Sequence, residues 1–122
     1  TGDGEMLMGL GSLSTVGLQQ PKNLAVVVLD NEHFGETGMQ TTHTAGSVNL
    51  AEIARASGIS SSWTVRETSE ISTTREKLLH EEGPLFCGIK VRAETLPLVL
   101  PPKEGEILQK RFRNALMNEN GD

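Results

Sequence analysis

The sequence has a single cysteine, Cys87, so it can form no internal disulfide and no metal or cluster site made of cysteines alone. No apolar run approaches the length needed to cross a bilayer, and no signal-peptide pattern is present, so no membrane association and a cytoplasmic location are expected. Positive charge is also scarce. Eleven Lys and Arg face sixteen Asp and Glu, giving a net charge of -5 and a pI near 5.2. With no basic face evident, binding of nucleic acid by bulk electrostatics is not expected. There are no internal repeats. What remains is ordinary for one globular domain with a modest core.

The informative stretch runs from Thr1 to Gln40, TGDGEMLMGLGSLSTVGLQQPKNLAVVVLDNEHFGETGMQ. It opens on Gly2-Asp3-Gly4 and closes on Asp30-Asn31-Glu32-His33-Phe34-Gly35. Met6, Leu7, Leu10, Leu13 and Val16 share one face at helical spacing, predicting a helix over Glu5 to Gln19. Gln20 to Asn23 is a turn, and Leu24 to Leu29 is a continuous, valine-rich apolar run, the pattern of a parallel strand covered on both faces. A helix beginning just after Gly4 would point its unpaired N–H groups and positive dipole end at whatever sits over the glycines, a site for an anion such as a diphosphate. Asp3 stands at the lip of that site, where a carboxylate can hold Mg²⁺ shared with phosphate oxygens and water. The strand would carry Asn31 to the carboxyl edge of the sheet, where ligands of open α/β folds collect. Its amide oxygen, and the His33 carbonyl two residues on, are further oxygen donors.

From His33 to Val48 no periodicity is seen, and so long a loop points to function or disorder. Asn49 and Glu52 start a short helix carrying Leu50, Ile53 and Ala54 and ended by Gly58. A strand follows over Trp63 to Arg66, then a helix capped by Thr68 or Ser69, carrying Ile71, Leu78 and Leu79 and stopped by Gly83. Leu85 to Val91 is a third strand, with Cys87 expected as buried packing. After Pro97, Pro101 and Pro102, an amphipathic helix is expected from about Glu104 to Asn118, its Lys110, Arg111 and Arg113 supporting the C-terminal dipole end. Met6 and Met8 are expected to fill core, and His43 to be a solvent-exposed loop histidine. The alternation of helix and strand gives an α/β fold, a parallel sheet with flanking helices.

GDG, a helix-sized spacer, an apolar strand and a DN pair together resemble the diphosphate-binding signature of thiamine diphosphate (ThDP) enzymes. Within that superfamily the stretch looks most like the sulfopyruvate and phosphonopyruvate decarboxylase group, clearly from Gly2 to about Gly58. The resemblance implies Mg²⁺ on Asp3, Asn31 and the His33 carbonyl. It also implies a cofactor-binding set of Gly2, Asp3, Gly4, Glu5, Asn31, Phe34, Gly35 and Thr37, in which N–H groups around Gly4 and Glu5 contact the diphosphate. His33 is the candidate proton-carrying side chain. Residues 1–100 are then expected to belong to a partial ThDP diphosphate-binding domain lacking its N-terminal strand, with 101–122 a tail. The family's catalytic glutamate lies in a pyrimidine-binding domain usually supplied by a neighbouring subunit, so a fragment of an oligomer, inactive alone and acting on a small 2-oxoacid, is implied. Three alternatives stay open: the β subunit of a 2-oxoacid ferredoxin oxidoreductase, for which Cys87 alone supplies too few iron-sulfur ligands; a ThDP carboligase; and a non-catalytic interaction subunit.

Overall fold

The computed structural model describes residues 1–95, 97 and 99–118. Three parallel strands, β1 (Ala25–Asp30), β4 (Ser61–Val65) and β5 (Leu85–Lys90), form a sheet in the order β1-β5-β4. Ala25 lies opposite Leu85, and Leu85 opposite Ser61. On the other edge of β1, Leu29 N–H donates to the Thr1 carbonyl at 2.9 Å, and Gly2 makes one parallel bridge with Leu29. The chain therefore enters its first helix from a position beside β1.

The first connection, through α3 (Leu50–Ala56), passes over β5 to reach β4; the second, through α4 (Ile71–His80), steps back. Right-handed crossovers in opposite directions put these helices on opposite faces. One face holds the main core, where Val28 and Phe86 pack with Met6, Leu13, Leu50, Ala51, Ala54 and Ile59. Burying each large side chain in this cluster contributes roughly 1.5–3 kcal/mol. The other face carries Cys87 and Val65, both buried, and Trp63, whose Nε1 donates to Thr74 of α4 and whose ring lies under the Lys77 ammonium.

The single helix expected over Glu5 to Gln19 is two, α1 (Asp3–Met8) and α2 (Ser12–Gln19). Gly9 and Gly11, each costly in a helix interior, let the chain turn between them, with Ser12 N–H donating to the Gly9 carbonyl. The expected apolar face survives the break: Met6 and Leu13 are buried, with Leu7, Leu10 and Val16 against them. Met8 does not fill core; it is 79% exposed, just ahead of the break.

Asn49 caps α3 as expected, its Oδ1 accepting the N–H groups of Ala51 and Glu52. At α4 the expected cap does not hold, and of the expected stripe only Leu78 is half-buried. Neither Thr68 nor Ser69 caps; instead the Glu70 carboxylate accepts the N–H groups of Arg66 and Glu67 at 2.9 and 2.8 Å. Ile71 and Leu79 are exposed, and it is the buried Thr74 of α4 that meets the sheet, accepting Trp63 Nε1–H. The segment from His33 to Val48 contains a hairpin, β2 (His33–Phe34) with β3 (Gln40–Thr41), and two single helical turns, Gly35–Thr37 and His43–Ala45.

The last helix, α5 (Gly105–Asn118), has Ile107, Leu108, Phe112 and Met117 exposed. Its Lys110, Arg111 and Arg113 sit mid-helix, and no basic side chain occupies the last turn, so the expected dipole support is absent. Among the described residues, no helix is long and apolar enough to cross a membrane.

The two N–H donors hold the Glu70 carboxyl below its ordinary pKa. A depressed carboxylate pKa contributes stability present above the unfolded value and lost as pH falls through the folded one. Glu70→Gln should therefore lower the melting temperature at pH 7 and narrow the gap to wild type below the ordinary carboxylate range, as thermal unfolding at several pH values will show.

Candidate functional site

Two short connections meet at the carboxyl edge of the sheet. The Gly2–α1 entry lies on one side, and the turn after β1, leading into the β2–β3 hairpin, on the other. Between them is an open cleft of about 600 Å³. Its lining includes Gly2, Asp3, Gly4, Glu5, Asn31, His33, Phe34, Gly35 and Thr37, every residue the sequence put at the site. His43 is exposed and lies outside that lining.

The helix starts at Asp3 itself, earlier than the sequence suggested. Its first backbone bond runs from Met6 N–H to the Gly2 carbonyl at 3.0 Å, and Asp3 N–H faces Leu29 in the bridge beside β1, so among the described residues the N–H groups of Gly4 and Glu5 are the open donors of the helix start. At six residues α1 carries a weak dipole, and these donors, rather than a long-range field, are what it offers an anion. The Glu5 side chain turns back, accepting Thr1 Oγ1 at 2.7 Å and Gly2 N–H at 3.1 Å. Those two bonds hold its carboxyl below the usual range. At Gly4 a Cβ would stand 2.6 Å from the Phe34 ring, so any side chain there would force that ring to shift from the helix start.

Asp3 is 2% exposed, and its side chain is held on one oxygen. Oδ2 accepts Thr42 Oγ1 at 2.5 Å and lies 3.2 Å from Thr44 Oγ1. Among the described residues, no side-chain hydrogen bond falls on Oδ1. Asn31 Oδ1 accepts the His33 N–H at 2.9 Å, fixing the amide in the turn and leaving a second lone pair on its oxygen. His33 Nδ1 lies 2.9 Å from the Asn31 carbonyl. A carbonyl only accepts, so Nδ1 carries the hydrogen of that bond.

The donors in the cleft are a carboxylate, an amide oxygen and backbone carbonyls, the hard oxygen set that suits Mg²⁺. Among the described residues, no three His, Cys, Asp or Glu side chains converge as a protein-only cage. Lining charge points the same way. Asp3, Glu5, Glu36 and Glu94 stand against Arg92 alone, so a polyphosphate entering without a cation would meet net negative charge.

The sequence did not point to the residues behind Asp3. Thr44 Oγ1 donates to Asp30 Oδ1 at 2.7 Å, and Lys90 Nζ reaches Asp30 Oδ2 at 2.9 Å, Glu32 Oε1 at 2.6 Å and the Thr44 carbonyl at 3.3 Å. Burial opposes the Lys90 charge, but the bonds to Glu32 and Asp30 outweigh it and raise its pKa. The available signal was a lysine closing an otherwise apolar strand at the ligand edge of the sheet; nothing in the spacing linked it to Thr44, 46 residues earlier. Cys87 is buried at the sheet's centre, where burial, with Glu70 adding to it, pushes its thiol up to about 11. That is packing, as expected.

Residues 1–89 match the family described as thiamine pyrophosphate enzyme, C-terminal TPP binding domain. The sulfopyruvate decarboxylase subunit beta of Methanocaldococcus jannaschii is 38% identical over 122 residues, covering 94% of this chain and 61% of that protein. The phosphonopyruvate decarboxylase of Streptomyces viridochromogenes is 35% identical over 117 residues, covering 92% of this chain and 28% of its own length. A sulfopyruvate decarboxylase of Methanosarcina acetivorans is 29% identical over 117 residues, covering 94% and 30%. The chain thus spans about three fifths of the beta subunits it matches and under a third of the other two proteins.

Proposed function

We propose, for a chain that belongs to the thiamine pyrophosphate enzymes through their C-terminal TPP binding domain, that it holds the diphosphate and Mg²⁺ of ThDP in a 2-oxoacid decarboxylase. The observation that carries this is the convergence of the Asp3 carboxylate, the Asn31–His33 turn and the unpaired N–H groups of Gly4 and Glu5 on one acidic cleft. The similarity to sulfopyruvate and phosphonopyruvate decarboxylases favours a small 2-oxoacid with a second anionic group as substrate. The relatives named as beta subunits favour a separate chain that completes the site.

In this reading Asp3, Asn31 and the His33 carbonyl hold Mg²⁺, and the N–H groups of Gly4 and Glu5 bind phosphate oxygens. Phe34, Gly35 and Thr37 form the wall that excludes water from the reacting end. Thr37 is braced there by Gln40, whose amide donates to the Thr37 carbonyl at 3.0 Å and accepts its hydroxyl at 3.0 Å. His33, with Nδ1–H engaged by the Asn31 carbonyl, can hold or pass a proton at Nε2. When bound, ThDP supplies the carbanion that attacks a 2-keto carbon and the electron sink that lets CO₂ leave.

The test is a calorimetric titration of ThDP into the full-length protein assembled with its partner chain, with and without Mg²⁺. Saturable binding that requires the metal is expected. Equal affinity in a chelator, or no binding under either condition, overturns the assignment.

A further inference from the structure

Two buried carboxylates, Asp3 and Asp30, come within reach of one hydroxyl, yet only one of them is offered to the cleft. Thr44 Oγ1 has a single hydrogen, and that oxygen lies 2.7 Å from Asp30 Oδ1, 3.2 Å from Asp3 Oδ2 and 2.9 Å from Thr42 Oγ1. Thr42 gives its own hydrogen to Asp3 at 2.5 Å. The far oxygen of Asp30 is taken by Lys90, which also pairs with Glu32.

Glu32 is itself unusual. Its φ is +64°, a conformation that non-glycine residues adopt only when their surroundings hold them there. Three contacts do so: its N–H donates to Asp30 Oδ1 at 3.0 Å, its carbonyl accepts Thr42 N–H at 2.8 Å, and its carboxylate meets Lys90. Glu32 sits between Asn31 and His33, so whatever fixes Glu32 also fixes the oxygens on either side.

We propose that Thr44 and Lys90 are positioning residues for the metal. By keeping Asp30 fully engaged they leave Asp3 as the one buried carboxylate free to take the cation. Through Asp30 and Glu32 they also lock the Asn31–His33 turn in a fixed relation to it. The cation then meets donors already in place. Outer partners of this kind orient metal ligands, and removing one weakens metal affinity about 10- to 100-fold.

This inference rests on the Mg²⁺ role given to Asp3, and the experiment separates the two. Mg²⁺ affinity is measured by calorimetry in the intact enzyme at saturating ThDP, alongside the melting temperature of each metal-free variant. Thr44→Val is expected to weaken Mg²⁺ binding about 10-fold or more, and Thr44→Ser, which keeps the hydroxyl, to restore most of the loss. Should Thr44→Val not fold, Lys90→Met, which takes the ammonium from both Asp30 Oδ2 and the Glu32 carboxylate, carries the same expectation. Wild-type Mg²⁺ affinity in a folded Thr44→Val protein, while Asp3→Ala abolishes binding, overturns the relay and leaves the Asp3 assignment standing. Unchanged Mg²⁺ dependence in Asp3→Ala overturns that assignment and the relay with it. A Thr44→Ser protein as weak as Thr44→Val also counts against the relay, because the hydroxyl would then not be what matters.

Discussion

Asp3→Ala will abolish Mg²⁺-dependent ThDP binding in the intact enzyme, a larger loss than the roughly 10- to 100-fold expected from any outer partner. The cleft presents four carboxylates and one guanidinium, so a diphosphate has no net attraction to it without a metal. Asp3 is the buried carboxylate of that lining, and its Oδ2 is already held by hydroxyls. Removing it takes away the charged donor, while the amide of Asn31 and the carbonyl of His33 are too weak to retain Mg²⁺ against water. The fold should tolerate the change better than the site. Once Asp3 is gone, the Thr42 hydroxyl can turn to Thr44, 2.9 Å away, so no buried donor is left orphaned. Asp3→Asn separates charge from shape: it keeps an oxygen for Thr42 but not the negative charge. ThDP titrations with Mg²⁺ should therefore show Asp3→Asn nearly as defective as Asp3→Ala, with melting closer to wild type. Wild-type affinity in either variant sinks the metal assignment.

How much of this was legible in advance follows from which interactions are local. Asn49 as a cap, a parallel strand over the apolar run from Leu24 to Leu29 and the face shared by Met6 and Leu13 are periodic or near-neighbour features that the structure has. But β1 is at the end of the β1-β5-β4 order and not covered on both faces, with Leu29 53% exposed. The line of Gly2, Asp3 and Asn31 along one cleft could also be anticipated, because a helix and a strand bring the ends of that stretch together, whereas Phe34 was expected there only from the resemblance. What escaped is long-range. The Thr42, Thr44 and Lys90 side chains act on Asp3 and Asp30 from far along the chain, and no pattern of spacing encodes such a meeting. Most of the α4 stripe failed for a related reason: periodicity says which face of a helix is apolar, but not which of its residues meets the sheet. Ile71 and Leu79 stay exposed while Thr74 makes the contact.

The largest effect on stability is expected from Gly17→Ala, although exposed glycines inside helices usually gain about 1 kcal/mol on replacement by alanine. A Cβ at Gly17 would stand 1.8 Å from the Ser57 carbonyl oxygen, 2.8 Å from its carbon and 3.2 Å from Gly58 Cα. All three are backbone atoms, so no rotamer change can relieve the clash. Gly58 cannot easily retreat either, since its φ of +100° forms the turn from α3 into β4. Gln20 ties the same two segments together, its amide donating to the carbonyls of both Gly17 and Gly58. Overpacking of this kind costs about 1–3 kcal/mol and more where backbone must move, so the propensity gain is outweighed. For a domain of this size a net loss near 3 kcal/mol lowers the melting temperature by about 10 °C. Gly11→Ala is the matched control. Its φ and ψ of -61° and -23° are already helical and its Cβ would meet nothing within 4 Å, so that variant should melt at or slightly above wild type. A Gly17→Ala protein as stable as Gly11→Ala would mean that α2 can lift from the α3–β4 turn at little cost. The apolar face of Leu13 and Val16 would then be held by the sheet rather than by that backbone contact.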